Sequence, residues 1–230
     1  SLEYPDYVTV EQFLSFLPDD YRNLREKKYF EATRGPGMPL TVATAADITT
    51  DKGLRDFWEE AIRSDNEARA AYVQGFNVKY GNWLMNRNTV IRINDIIFVH
   101  GGISEKLSTT PLPEINRQMR RELREYRSRM ARPRRYPAVF RPRFIYDPDS
   151  PLWFRGFATR NESRAQGEVD RILSNLKART IVIGHNYMQR SGSSPIVSLD
   201  LVARFKNKVF MIDTGISRSY AGAVSALIIA

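Results

Sequence analysis

The sequence predicts an α/β fold in which helices flank a β-sheet core. Two observations lead to this class. Helical apolar spacing dominates the first 76 residues, whereas short apolar runs bounded by turn residues recur after residue 77. With 230 residues and 42% apolar content, the chain is long enough for one sizeable core. We therefore expect residues 1–76 to form a helical layer packed on the same domain as residues 77–230.

The predicted helices are defined by their spacing and their ends. Val10–Leu17 has one apolar face and stops at Pro18. The charged segment Asp19–Phe30 fits a second helix. Thr50 is suited to cap a third helix that runs from Lys52 to Gln74. Two more helices are predicted later in the chain, over Pro111–Met130 and Gln166–Ala178.

The predicted strands begin with a hairpin. Val90–Ile93 and Ile96–Val99 are apolar β runs joined by the turn pair Asn94-Asp95. Thr180–Ile183 is another buried strand after the second long helix. The apolar runs of the last third are predicted as strands too, over Ile196–Phe205, Val209–Ile212 and Val224–Ile229, with a turn at Lys206-Asn207-Lys208.

Composition excludes several classes of protein. The chain has no cysteine, which excludes a disulfide scaffold, a thiolate zinc site and a cysteine nucleophile. No apolar run approaches the ~18 residues of a membrane span, and no signal-peptide pattern is present. These facts leave the compartment open. The first residue, Ser1, is not methionine, so the natural start of the chain is open as well.

Both histidines of the chain occupy the same kind of position. His100 follows a β run and precedes Gly101 and Gly102, and His185 follows the run Thr180–Ile183 and Gly184. A histidine at a strand end projects from a rigid element into a crevice, and neutral imidazole is the commonest metal-binding side chain. Adjacent glycines let a ligand approach the backbone closely. Metal binding is therefore one hypothesis, and two structural histidines are the other.

Four segments in order resemble the C-terminal half of the calcineurin-like metallophosphoesterases. The closest likeness is to the bacterial and Shewanella-like branch of the phosphoprotein phosphatase superfamily. The segments are Tyr80–Ser104 with its His-Gly-Gly motif, Pro151–Gly156, Ile181–Asn186 and Val209–Gly222. The resemblance covers about residues 75–229. It implies a two-sheet β-sandwich flanked by helices, here without the N-terminal βαβ portion.

The resemblance also implies a two-metal centre for phosphate chemistry. His100 and His185 match the family histidines that ligate one of two divalent cations, which would be Mn, Fe or Zn. Such a pair of cations, about 3.5–4 Å apart, clamps phosphate oxygens and activates water near neutral pH. Arg155 matches the arginine whose planar fork binds phosphate, with Gly101 and Gly102 beside the substrate. A surface ion pair is the alternative role for Arg155.

Two polar residues near these motifs have two interpretations each. Asn186 either orients His185 or a water molecule, or only shapes its turn. Asp213 suits a hydrogen bond to a metal-ligating histidine. Its carboxylate is equally able to cap a turn, and a turn cap is the interpretation we favour.

The N-terminal motifs of the family, D-x-H, G-D-x-x-D-R-G and G-N-H-E, are missing from this sequence. Trp83 follows Gly81-Asn82 where the family has histidine. Two histidines alone cannot hold a two-metal centre, which also needs oxygen ligands. We therefore expect this polypeptide alone to be inactive or nearly so. Three explanations fit this expectation. The chain could be a truncated product, its site could be completed by a second chain or an N-terminal segment, or catalysis could have been lost.

The net charge of +9 originates in one segment. Residues Arg117–Arg143, the arginine-rich segment, contain eleven arginines, no lysine and two acids, Glu122 and Glu125, which gives 11 − 2 = +9. Nucleic acid, an anionic lipid surface and an acidic protein are candidate partners. The segment could also steer anionic substrates as a wall of the cleft. A solvated cationic surface is the interpretation we favour.

The sequence thus predicts metal-dependent hydrolysis of phosphomonoesters, with a phosphoprotein as the substrate class. The alternative is a non-catalytic binding module. In that case a degenerate phosphatase scaffold would hold nucleic acid or an acidic partner through its arginine-rich segment.

Overall fold

The computed structural model of the chain describes residues 8–34, 50–130, 143–186, 201–215, 224 and 226–229. The chain divides into two compact units. The first comprises Ser1–Asn86 and Glu125–Val139, and the second comprises Arg87–Arg124 and Phe140–Ala230. Of the arginine-rich segment, residues 131–142 lie outside the described residues, and so do residues 196–200 of a predicted strand and residues 216–222 of the last family-like segment.

The first unit is helical. Its elements are α1 (Val10–Leu14), α2 (Asp19–Arg34), α3 (Lys52–Ser64), α4 (Asn66–Phe76), a π-helical turn (Asn77–Gly81) and α5 (Asn82–Met85). Phe13, Leu54 and Trp58 are fully buried in its core. The buried carboxylate of Glu26 accepts hydrogen bonds from Trp58 Nε1 at 3.3 Å and Arg22 Nε at 2.8 Å. These donors offset the cost of burying its charge.

The prediction of one helix from Lys52 to Gln74 is wrong in two respects: the helix is interrupted, and a different residue caps its N-terminus. Asp65 interrupts it, because its carboxylate accepts hydrogen bonds from the N–H groups of Glu67 and Ala68 and so begins α4. A side chain that caps a new helix competes with continuation of the old one. At the N-terminus Asp51, rather than Thr50, caps α3 by accepting a hydrogen bond from Leu54 N.

The second unit is built around a five-stranded sheet. Its strands are β1 (Val90–Ile93), β2 (Ile96–Val99), β3 (Thr180–Ile183), β4 (Val202–Arg204) and β5 (Val209–Met211), in the order β1-β2-β3-β5-β4. Its helices are α6 (Glu105–Ser108), α7 (Leu112–Met130, which continues beyond the unit), α8 (Gly156–Thr159) and α9 (Glu162–Leu176). The predicted α/β class is confirmed as a mixed sheet flanked by helices.

The predicted hairpin is confirmed. β1 and β2 are antiparallel, and Asn94 in the turn between them has a left-handed φ of 55°. Asparagine tolerates that conformation better than most residues, which is why the Asn-Asp pair marks the turn. β2, β3 and β5 then run parallel to one another. The parallel strands end at the same edge of the sheet.

The two faces of the sheet differ. One face carries Val99, Ile183 and Met211 in register, and these residues belong to the main core with α7 and α9. The opposite face carries the row Ile91, Phe98, Val182, Phe210, which belongs to neither core cluster of the described residues. The described strands form a single sheet, so the second sheet of the expected sandwich stays a prediction.

The tail of the chain is less regular than predicted. β5 ends at Met211 rather than Ile212, and the predicted strand over Val224–Ile229 is wrong for the residues described there. Val224 and Ile228 are 80% and 89% exposed. Apolar β-branched composition does not make a strand where no neighbouring strand accepts its hydrogen bonds. The predicted turn at Lys206 is confirmed, with Phe205, Lys206 and Asn207 in left-handed conformation.

A buried asparagine anchors α7 to the sheet. Asn116 Oδ1 accepts hydrogen bonds from Thr89 N at 2.8 Å and Val90 N at 3.0 Å, and its Nδ2 donates to Val90 O at 2.8 Å. Asn116 is only 5% exposed. These three bonds satisfy the backbone at the start of β1 and fix which face of α7 turns inward.

Asn116→Ala is expected to lower the free energy of unfolding by about 2–4 kcal/mol, because it leaves buried backbone groups without partners. Urea unfolding followed by circular dichroism measures the change. Asn88→Ala is the matched control. Asn88 is exposed and only accepts a hydrogen bond from Arg120, so its loss should cost no more than about 0.5 kcal/mol. Equal effects of the two substitutions would contradict this role of Asn116.

Candidate functional site

The two histidines meet at one edge of the sheet. Val99 of β2 lies opposite Ile183 of β3 in parallel register, so the chain leaves both strands at the same place. His100 follows Val99 directly, and His185 follows Ile183 after one glycine. His100 Nε2 lies 2.7 Å from His185 Nδ1. At this distance one ring donates a hydrogen bond to the other, with the tautomers set accordingly.

Backbone bonds hold the two histidine loops together. Gly184 N donates to His100 O at 2.8 Å. His185 adopts a left-handed φ of 60°, which turns its ring back towards His100. The buried amide of Asn186 donates to Gly184 O at 3.2 Å and to Gly101 O at 3.5 Å. Asn186 therefore shapes this turn and ties it to the neighbouring loop, while an orienting role towards His185 or a water stays a prediction.

The two glycines after His100 are required by close packing. Gly101 N and Gly102 N donate to Pro151 O at 2.7 and 3.3 Å. A Cβ on Gly101 would lie 2.8 Å from Leu152 O, and Gly102 has a φ of 146°. Only glycine fits both positions without strain. The structure thus gives these glycines a packing role, and their contact with substrate stays a prediction.

Arg155 lies beside the histidine pair. Its Nη1 donates to Leu152 O at 3.2 Å and to Phe154 O at 3.3 Å. Its guanidinium stacks on the ring of Trp153, 5.4 Å from the centroid. Among the described residues no acceptor is found for Nε or Nη2, and no acid pairs with Arg155. The Nε–Nη2 edge of the fork is thus available to bind an anion in two-point geometry.

An aromatic contact connects Arg155 to the histidines. Trp153 meets His185 edge to face at 5.7 Å between centroids and stacks on Tyr146 at 6.3 Å. The indole therefore touches both the cationic group and one imidazole of the pair. Trp153 lies within the family-like segment Pro151–Gly156, but that pattern does not predict its contact with His185. Tyr146 lies outside every motif, so no signal in the sequence could have found it.

The electrostatics of the site favour the neutral form of both imidazoles. Loss of hydration is the largest cause that lowers the pKa of His100, and the positive charge of Arg155 lowers it further. The pKa of His185 is lowered by the same two causes and also by His100 itself. Asp213 opposes both shifts without reversing them. Loss of hydration lowers the pKa of Arg155 as well.

Asp213 takes part in a turn. Its Oδ1 accepts a hydrogen bond from Gly215 N at 3.0 Å, which is the turn-capping role favoured from the sequence. Asp213 influences both histidines through its charge. A hydrogen bond from a histidine to Asp213 stays a prediction.

The histidine pair fits part of a metal site. Imidazole nitrogens lie about 2.0–2.1 Å from zinc, which places two ligands of one ion about 3.0–3.4 Å apart. The separation of 2.7 Å is a few tenths of an ångström short of that. Within the described part of the chain no group of three or more His, Asp or Glu side chains converges. The described residues therefore bring two imidazole nitrogens together here without a third candidate ligand.

The comparisons with known proteins find weak structural similarity to solved structures. No family model matches the chain, and no curated protein matches it significantly. Three solved structures align with it. A cold-active protein-tyrosine phosphatase of a psychrophilic Shewanella species has 24% identity and a TM-score of 0.46, over 76% of this chain and 48% of that one.

A structure of a cold-active protein tyrosine phosphatase at 1.1 Å has 23% identity and a TM-score of 0.42, over 75% of this chain and 56% of that one. A point mutant of a cold-active protein tyrosine phosphatase has 29% identity and a TM-score of 0.41, over 62% and 37%. The chain thus spans about half the length of these structures or less. TM-scores below 0.5 do not establish a shared fold.

Among the helices that the structure describes, none has the length and apolar character needed to cross a bilayer.

The site predicts a linked titration. Both histidines should titrate below the ordinary value near 6.5 in NMR spectra of the imidazole C2–H protons. Because a depressed pKa means that unfolding takes up protons, the corresponding stability is complete above pH 6.5 and is lost as pH falls through the folded-state values. Arg155→Gln should raise both midpoints, since it removes a positive neighbour.

Arg179→Gln is the control for that experiment. Arg179 is exposed and paired with Asp95 at 2.9 Å, away from the histidine pair, so it should leave both midpoints where they are. Midpoints in Arg155→Gln that match those of the unsubstituted chain would show that the Arg155 charge does not reach the histidines.

Proposed function

We propose that this chain belongs to a metal-dependent phosphomonoesterase and carries half of its active site. The observation that carries the proposal is the 2.7 Å approach of His100 Nε2 to His185 Nδ1 with Arg155 beside them. These are the three residues that the family resemblance assigns to metal and phosphate binding. The resemblance came from separate segments of sequence, so their convergence in space is independent support.

Each residue has a separate binding role in this proposal. His100 and His185 would hold one divalent cation through Nε2 and Nδ1. Their lowered pKa keeps both rings neutral near neutral pH, and the tautomers with the proton on the other ring nitrogen leave these two atoms free to bind the cation. A bound pair of such cations neutralises phosphate and activates water. Arg155 would bind two phosphate oxygens through Nε and Nη2, and Trp153 limits the motion of its guanidinium.

The remaining ligands would come from a second chain or a further segment. A centre of hard and borderline cations needs carboxylate oxygens, and the positive charge of Arg155 disfavours a cation held by neutral ligands alone. We expect the chain by itself to hydrolyse p-nitrophenyl phosphate at or near the rate of buffer. A phosphoprotein is the proposed substrate class, as the family resemblance implies.

Cation binding tests the proposal most directly. In titration calorimetry with Zn²⁺ or Mn²⁺, the chain should bind one cation, and His100→Ala or His185→Ala should weaken binding at least about tenfold, because one of only two ligands is lost. The release of bound cation on lowering pH should follow protonation of the imidazoles.

Asn186→Ala separates ligation from loop structure. It should weaken binding less than either histidine substitution, since Asn186 acts through the turn. An unsubstituted chain that binds no cation, or histidine variants that bind it as the unsubstituted chain does, would remove the basis of the proposed function.

Phosphate binding tests Arg155. With the chain loaded with Zn²⁺, inorganic phosphate followed by ³¹P NMR should bind at least about tenfold more weakly to Arg155→Gln, because charge-assisted two-point hydrogen bonds are lost. Arg155→Lys should restore part of the affinity, since it keeps the charge without the fork. Arg179→Gln should bind phosphate as the unsubstituted chain does, and equal loss in both glutamine variants would point to overall charge instead of Arg155.

A further inference from the structure

The described part of the arginine-rich segment carries a row of exposed cations. Arg117, Arg121 and Arg124 are spaced i, i+4 and i+7 on α7, so they lie along one face of the helix over about 10.5 Å. All three are exposed. None of them makes a hydrogen bond or ion pair with another described residue. We call these three residues the α7 arginine row.

The row differs from several other exposed arginines of the same unit. Those are paired with acids: Arg160 with Glu168, Arg171 with Glu105, and Arg179 with Asp95. α7 carries six arginines and three acids, Glu114, Glu122 and Glu125. The Glu122 carboxylate is engaged by the backbone, because it accepts hydrogen bonds from Phe144 N and Ile145 N at 2.9 and 3.1 Å. The helix therefore keeps an excess of positive charge.

The helix holds the row in a fixed orientation. Its opposite face is anchored by Ile115, Asn116 and Met119, which are at most 5% exposed. Asn116 bonds to the backbone of β1. The arginine side chains are thus presented outward by a rigid element, which lowers the entropy cost of binding along them.

The surroundings of the row select the kind of partner. Among the described side chains of α7, no large apolar residue is exposed. A helix that lies on a membrane needs an apolar face to insert into the lipid, and a protein interface needs an apolar or aromatic centre. Single-stranded nucleic acid needs exposed aromatic rings for stacking. The backbone of a nucleic-acid duplex needs only regularly spaced cations.

We propose that the α7 arginine row binds the phosphate backbone of a nucleic-acid duplex without reading its sequence. Each strand carries a phosphate about every 3.4 Å along the duplex axis, so about 10.5 Å of helix faces a run of three or four phosphates. Each guanidinium forms charge-assisted hydrogen bonds with a phosphate oxygen and displaces condensed counterions. This inference does not depend on the proposed phosphatase activity.

The test is fluorescence anisotropy with a labelled 20-base-pair DNA duplex of arbitrary sequence, titrated at several salt concentrations. The triple variant Arg117→Gln, Arg121→Gln, Arg124→Gln should bind at least about tenfold more weakly at low salt. Its slope of log K against log salt should be shallower by about 2.7, which is three phosphate contacts at 0.9 each. Two duplexes of unrelated sequence should bind equally.

A matched control removes the same charge from paired positions. The variant Arg160→Gln, Arg171→Gln, Arg179→Gln also loses three positive charges, and it should keep the slope of the unsubstituted chain. Lysine at 117, 121 and 124 should keep most of the slope, because counterion release follows charge. This lysine variant also shows that a loss in the glutamine variant does not come from misfolding.

Competing ligands decide between partners. Polyglutamate, vesicles containing phosphatidylserine and a single strand of the same sequence should each bind more weakly than the duplex. Tighter binding of any of these ligands would overturn the inference in favour of that class of partner. Equal loss of duplex binding in the two glutamine variants would overturn it in favour of net charge alone.

Discussion

The parallel register of β2 and β3 is the constraint on which the candidate site depends. Val99 lies opposite Ile183, so His100 and His185, which are 85 positions apart in sequence, meet at one edge of the sheet. Each histidine loop then completes its hydrogen bonds with the other, through Gly184 N to His100 O and through the Asn186 amide. A one-residue slip would reverse the faces of the strand and separate the imidazoles. Packing of the core face therefore fixes the chemistry at the edge.

The charge at that edge limits what it can bind. Two neutral imidazoles attract a divalent cation, whereas Arg155 repels one. Loss of hydration is the largest cause that lowers the pKa of both histidines, and the charge of Arg155 lowers it further. Asp213 offsets this repulsion only in part. In the proposed function, a cation and an anion that arrive together would satisfy all three side chains, because the cation would bind the nitrogens and the anion the guanidinium. The proposed site would thus be better matched to a phosphate with its counterion than to either partner alone.

Local patterns predicted much of the fold, and long-range contacts explain the rest. The Asn94-Asp95 hairpin and β3 followed from turn chemistry and apolar runs, and the strand-end histidines could be placed from them. The break at Asp65 could not be predicted, since aspartate is also tolerated inside helices. The strand predicted over Val224–Ile229 failed because pairing depends on a neighbour that spacing cannot identify. The contact of Trp153 with His185 joins segments 32 residues apart, and no local pattern encodes it.

Two kinds of arginine occur in the sheet unit, and they differ in their neighbours. Arg155 is partly desolvated and held against Trp153. In the proposed function it would therefore act over hydrogen-bond distances on a single anion. The α7 arginine row is exposed, forms no ion pair with another described residue, and is fixed through its helix. Its field extends about 8–10 Å at physiological salt. Sequence composition counts both kinds alike. The two kinds can be distinguished only in the fold, which shows what each guanidinium contacts: Arg155 lies against Trp153, whereas the arginines of the row meet no acid at hydrogen-bond distance among the described residues.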